Sequence, residues 1–154
     1  IAGKMSSLQE GGLLVERNWT DYKITFRAKP LQIGDNNSYF GVLFRLRTGP
    51  NCQKFYELAF NQTVSLNAFT GDQSPDGNCL ARSFFSGIPS YIVRDKWHEV
   101  KIELYGPEII IYLDDTLINR VTDDTTLTGG FSIGLAPHAE VLFDDIKVVE
   151  LVAR

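Results

Sequence analysis

The 154 residues contain no apolar run approaching the roughly 18 that a membrane-spanning helix needs, so the sequence offers no span of that kind. No segment holds a 3.6-residue apolar period with capping residues at its ends, which argues against a helical bundle. Basic residues are outnumbered, 15 Lys and Arg against 19 Asp and Glu, and they are scattered along a chain of net charge −4. A nucleic-acid or anionic-membrane partner calls for clustered positive charge, so neither is expected. Histidine and cysteine number two each and lie far apart, leaving no zinc-ligand spacing. The start, IAGKMSSLQEGG, lacks a charged segment followed by an apolar one. The expectation there is no signal peptide, and a mature product or an excised domain. With no linker or low-complexity tract, residues 1–154 read as one domain.

What is abundant is aromatic and alternating. Ten Phe, six Tyr and two Trp stand in a chain that is 44% hydrophobic, enough for one core. DYKITFRAK alternates Tyr22, Ile24, Phe26 and Ala28 with polar partners before Pro30. SYFGVLFRLR does the same with Phe40, Val42, Phe44 and Leu46. QKFYELAFN and TVSLNAFT follow, with Tyr56, Leu58, Phe60 and Val64, Leu66, Ala68 on their apolar faces. WHEVKIELY alternates Val100, Ile102 and Leu104, and EIIIYL is apolar on both faces. Asp114-Asp115 sits where a two-residue hairpin turn belongs. TLINRV, GGFSIGLA and EVLFDDIKVVELV complete the chain. A period of two, repeated in short runs with turn formers between them, predicts an all-β antiparallel sandwich or jelly roll. FFSGIPSYIVRDK is too irregular for a strand throughout. It reads as a groove wall, a buried loop, or a contact with another copy of the chain.

If 38–47, 53–61 and 63–70 are neighbours, their second faces carry Tyr39, Arg45 and Arg47, then Phe55, Glu57 and Asn61, then Ser65, Asn67 and Phe69. Flat rings beside fixed hydrogen-bonding groups suit a sugar, which offers both C–H faces and hydroxyls. Tyr39, Arg45, Glu57 and Asn67 are the expected binding residues, with Tyr91 as a further stacking ring. The plainer reading is a structural Arg45–Glu57 pair on a wet face. Cys52 and Cys79 both lie in loop-like surroundings and are expected to form a disulfide. Sequons occur at Asn18, Asn36 and Asn61. A disulfide and glycans both fit a secreted or cell-surface protein.

YFGVLFRLR followed by FYELAFN, the Trp-led hairpin WHEVKIELYGPEIIIYLDDTLI, and TGGFSIGLAPHAEVLFDDIKVV together resemble the concanavalin A-like, laminin-G-like jelly rolls. The resemblance runs from about residue 12 to 149. It implies a two-sheet sandwich, and a superfamily of carbohydrate-binding modules, lectins, adhesion modules and glycoside hydrolases. It also implies a structural calcium for some members, for which the pair Asp144 and Asp145 is the closest counterpart. Asp35, Asn36, Asp72, Asp76 and Asn78 are further oxygen donors, although Asp and Asn also simply favour turns.

The E-x-D-x-x-E type strand of the family 16-type, laminarinase-like hydrolases is absent. Glu99 and Glu103 share a strand face, but Lys101 stands between them. GFSIG, residues 130–134, matches G-x-S-x-G by letter. The motif needs a strand, a sharp turn and a helix, and Ser132 sits inside an apparent strand. The expected function is therefore a secreted, non-catalytic carbohydrate-binding module. A self-assembling structural or adhesive subunit is the alternative, and a glycoside hydrolase stands third.

Overall fold

The computed structural model describes residues 3–6, 13–35, 37–47, 51–90 and 92–151. Twelve strands are assigned: β1 (Gly3–Ser6), β2 (Leu13–Val15), β3 (Tyr22–Gln32), β4 (Ser38–Arg47), β5 (Lys54–Asn61), β6 (Thr63–Gln73), β7 (Cys79–Pro89), β8 (His98–Tyr105), β9 (Glu108–Leu113), β10 (Thr116–Thr122), β11 (Gly130–Leu135) and β12 (Glu140–Glu150). They form two six-stranded sheets, all pairs antiparallel. One runs β1-β12-β3-β8-β9-β10 and is called sheet A. The other, sheet B, runs β2-β11-β4-β5-β6-β7. The expected all-β jelly-roll sandwich is what the chain adopts, with no helix among the described residues.

The period-two apolar residues meet between the sheets. Ile24, Phe26, Val100, Ile102, Ile109 and Ile111 of sheet A face Val42, Phe44, Leu58, Leu66 and Ile133 of sheet B, all essentially without exposure. Phe26, Phe40 and Phe143 touch across the gap, with ring centroids 5.5–5.9 Å apart. Burying each such side chain contributes about 1.5–3 kcal/mol, so the alternation is also the main stabilising pattern. The Asp114-Asp115 hairpin forms as read, both residues at positive φ (50° and 63°), as a two-residue turn of this hand requires.

β4 and β7 depart from the alternation. In β4 the pairing slips between Phe44 and Arg47, and Arg45 takes φ 47°. The extra residue turns the Arg45 side chain inward, where it is fully buried. Its Nη2 donates to the Thr20 carbonyl at 2.9 Å and lies 3.6 Å from Asp21, while Nη1 donates to the Gly106 carbonyl. The backbone N–H of Arg45 donates to the Tyr22 hydroxyl at 2.8 Å, and that hydroxyl donates to the Gly130 carbonyl at 3.1 Å. The bulge leaves no room for a side chain opposite: a Cβ on Gly129, at φ 145°, would stand 2.4 Å from the Arg45 carbonyl carbon. A second slip at the start of β4, between Ser38 and Phe40, takes Tyr39 into the core at 5% exposure. β7 takes up only the start of the stretch read as too irregular for a strand throughout. It is an edge strand that ends at Pro89, paired to β6 through repeated register shifts, and no strand is assigned over residues 92–96.

Truncating a buried, paired cation leaves uncompensated polar groups behind, so Arg45→Ala is expected to cost about 3–5 kcal/mol in urea unfolding. A loss under 1 kcal/mol would show that the two sheets are not joined through it. Burial raises the Tyr22 phenol from 10.0 to about 12, partly offset by the Arg45 N–H and guanidinium. A folded pKa above the unfolded one contributes stability that is complete below pH 10 and lost as pH rises towards 12. The melting temperature should therefore fall between pH 10 and 12. An unchanged value across that window would contradict the burial of Tyr22.

Candidate functional site

The outer face of sheet B is set by register. One row runs Ser132, Leu43, Glu57, Asn67 and Ser83 across β11, β4, β5, β6 and β7. The next runs Gly134, Gly41, Ala59 and Ser65. Phe55 and Phe69 pair in a third row, their rings stacked at 4.4 Å with 18° between planes. Because the second row carries almost no side chain, the face sinks there. A groove of about 330 Å³ results, lined by Gly41, Leu43, Glu57, Ala59, Ser132 and Gly134 among others.

Of the five expected binding residues, Glu57 and Asn67 stand side by side on this face, each half-buried. Among the described residues neither side chain has a hydrogen-bond or ion-pair partner. Tyr39 and Arg45 are corrections. Both belong to the interior, each displaced by a bulge at one end of β4. The expected Arg45–Glu57 pair is corrected with them, since Arg45 holds Thr20, Asp21 and Gly106 instead. Tyr91 lies outside the described residues. The sequence reading also missed the floor. Ser132 and Gly134 come from GFSIG, which is no nucleophile elbow but strand β11, and its small outward residues form part of the groove. The signal was present as small residues at a period of two, next to the equally small Gly41.

At the groove's end, beside Ser38, Leu135 and Ala136, two loops are locked together. His138 Nδ1 lies 2.9 Å from both carboxylate oxygens of Asp35, and the Asp35 N–H donates to the Pro137 carbonyl at 3.1 Å. At the opposite end the Cys52–Cys79 disulfide is present, joining the β4–β5 loop to the start of β7 beyond Phe55 and Phe69.

The remaining candidates fall elsewhere. Glu99 and Glu103 are on the outer face of sheet A, opposite Arg27 and Lys23 in register, as part of a ladder of opposite charges. Asp144 and Asp145, the pair expected for calcium, each have an oxygen 3.8 Å from the Arg27 guanidinium. Among the described residues no third acidic or histidine side chain joins them. Asp76 is engaged locally by Ser74 and Asn78. Asn18 is exposed, whereas the Asn61 side chain accepts from the Thr63 N–H and hydroxyl at 2.7 and 2.8 Å. Asn36 lies outside the described residues.

A helix-free jelly roll with a groove across one sheet is an architecture shared by glycan-binding and glycoside-acting proteins. The carbohydrate-binding module CBM66 from Bacillus subtilis is 16% identical, with 95% of this chain and 94% of that one covered and a TM-score of 0.64. Sheep galectin-11 is 13% identical over 92% of this chain and 99% of its own, with a TM-score of 0.68. An alginate lyase is 9% identical over 97% and 79%, with a TM-score of 0.63. Identities this low speak for the fold alone. No curated protein matches the chain. The chain belongs to the family of 3-keto-alpha-glucoside-1,2-lyase-like domains, which it matches over residues 3–149. Among the described residues no helix is long and apolar enough to cross a membrane.

Proposed function

We propose that this chain is an extracellular, non-catalytic carbohydrate-binding module that takes a glycan in the groove of sheet B. The observation that carries the reading is the adjacent Glu57 and Asn67, half-buried without protein partners above a floor of Gly41, Ala59 and Gly134. Polar groups left unpaired at a surface groove are free to bond hydroxyls, and the absent side chains let a sugar ring approach the backbone. The stacked Phe55 and Phe69 add an apolar surface at one end. The disulfide supports an oxidising, extracellular setting.

The non-catalytic part rests on carboxylate count. Glycosidases of the usual kind flank the scissile bond with two carboxyl groups, and among the described residues this face has Glu57 alone. The family's lyase-like description keeps a second reading open, in which the chain acts on a glycoside. The observation that favours it is the Asp35–His138 pair at the groove's end, where a carboxylate orients an exposed imidazole.

A glycan-array screen of the purified chain, with Gly134→Leu alongside, tests the site. A Cβ on Gly134 meets nothing within 4 Å, so leucine fills the groove with the fold intact. The expected result is a hit that Gly134→Leu abolishes while its melting temperature stays within 2 °C or so of the parent, as surface substitutions usually do. A blank array, or a hit that survives the leucine, would contradict the reading. Release of product from the bound glycan, lost in His138→Ala, would favour the catalytic reading.

A further inference from the structure

We infer that the groove takes a neutral oligosaccharide, and that Glu57 excludes glycans built of uronic acids. The inference rests on the reading of this face as the glycan site and adds the chemical class of the ligand. Structural neighbours of this fold include alginate lyases, so the fold leaves charge open and the side chains must decide it.

Three observations converge. First, the outer-face rows Ser132, Leu43, Glu57, Asn67, Ser83 and Gly134, Gly41, Ala59, Ser65 hold one charged side chain, the Glu57 carboxylate. No arginine, lysine or histidine stands in either row to hold a sugar carboxylate. Of the basic residues near the groove, Arg47 Nη1 donates to the Thr128 hydroxyl at 3.4 Å, and His138 at the groove's end is held against the Asp35 carboxylate. Second, no cation neutralises Glu57. The arginine that the alternation of β4 would have put beside it is buried in the sandwich, so no basic side chain of this face is set against the Glu57 carboxylate. A carboxylate accepts strongly from hydroxyls and repels a second carboxylate brought within a few ångströms.

Third, the face has a length. From Ala59 to Phe55 along β5 is about 13 Å at the usual rise of a strand, a span for a short oligosaccharide rather than a single ring. Ala59 and Glu57 line the groove, and the stacked Phe55–Phe69 pair lies outside it on the same face. A chain that reached from the groove to the aromatic pair would present its hydroxyls to Glu57 and Asn67.

The test is calorimetric titration of the intact chain and of Glu57→Gln with two probe sets. One set is neutral hexa-oligosaccharides of gluco, galacto, manno and fructo type. The other is oligoalginate and oligogalacturonate of the same length. The parent chain is expected to bind a neutral probe and neither uronate. Glu57→Gln is expected to weaken the neutral probe by about ten- to hundredfold, as loss of a charged acceptor does, and to admit uronate binding. Because the carboxylate has no partner in the fold, the variant's melting temperature should match or exceed that of the parent. Uronate binding by the parent as tight as neutral binding would overturn the inference and leave the glycan site standing. Unchanged neutral affinity in Glu57→Gln would overturn the role of Glu57. Binding of neither set would overturn both the inference and the function it rests on.

Discussion

One buried guanidinium organises the sandwich. Arg45 leaves β4 at a bulge, enters the space between the sheets and bonds the carbonyls of Thr20 and Gly106 on the sheet A side. Its own backbone N–H reaches the Tyr22 hydroxyl, which passes the chain of bonds to Gly130 of β11 in sheet B. Strands β3, β4 and β11 and the β8–β9 turn are thus tied at one point. A charge taken out of water needs such partners, and here Nη1 and Nη2 have them while Nε is buried without one. The same bulge dictates local sequence just before β11, where a Cβ on Gly129 would meet the backbone of Arg45 and Leu46; a Cβ on Gly130 would instead meet Val15 and Arg17.

That structural demand shapes the surface as well. Once Arg45 is committed to the interior, the outer face of sheet B loses the cation that would have paired with Glu57. The carboxylate is left beside Asn67 with no protein partner, and the small residues of β4, β5 and β11 open the space around them. Interior pinning and an unpaired Glu57 are two outcomes of one register slip. The ends of the groove are then stiffened separately, by the Asp35–His138 contact between loops and by the Cys52–Cys79 bridge beyond the aromatic pair.

The fold was legible because burial on one face of an antiparallel sheet imposes a period of two, and β3, β5 and β8 obey it throughout and β6 as far as Ala68. β4 looked equally regular, yet two bulges moved Tyr39 and Arg45 off the face that the alternation assigned. A bulge is a pairing event between strands, and SYFGVLFRLR contains no residue that marks it. The nearest sign was Gly129, more than eighty residues away. β1 and β2, of four and three residues, are too short to show a period. Glu57 and Asn67 were readable because β5 and β6 are a local hairpin. The floor needed knowledge that β11 lies beside β4, a long-range pairing that local pattern does not carry.

We propose that ligand recognition belongs to the outer face of sheet B and not to the arginine of β4. Backbone amide shifts in an NMR titration with a neutral oligosaccharide distinguish the two. Perturbations are expected to concentrate at Gly41, Glu57, Ala59, Asn67, Ser132 and Gly134, with the buried Arg45 unmoved. Shifts centred on the outer face of sheet A, at Glu99, Lys101 and Glu103, or on the β7–β10 side, would contradict it.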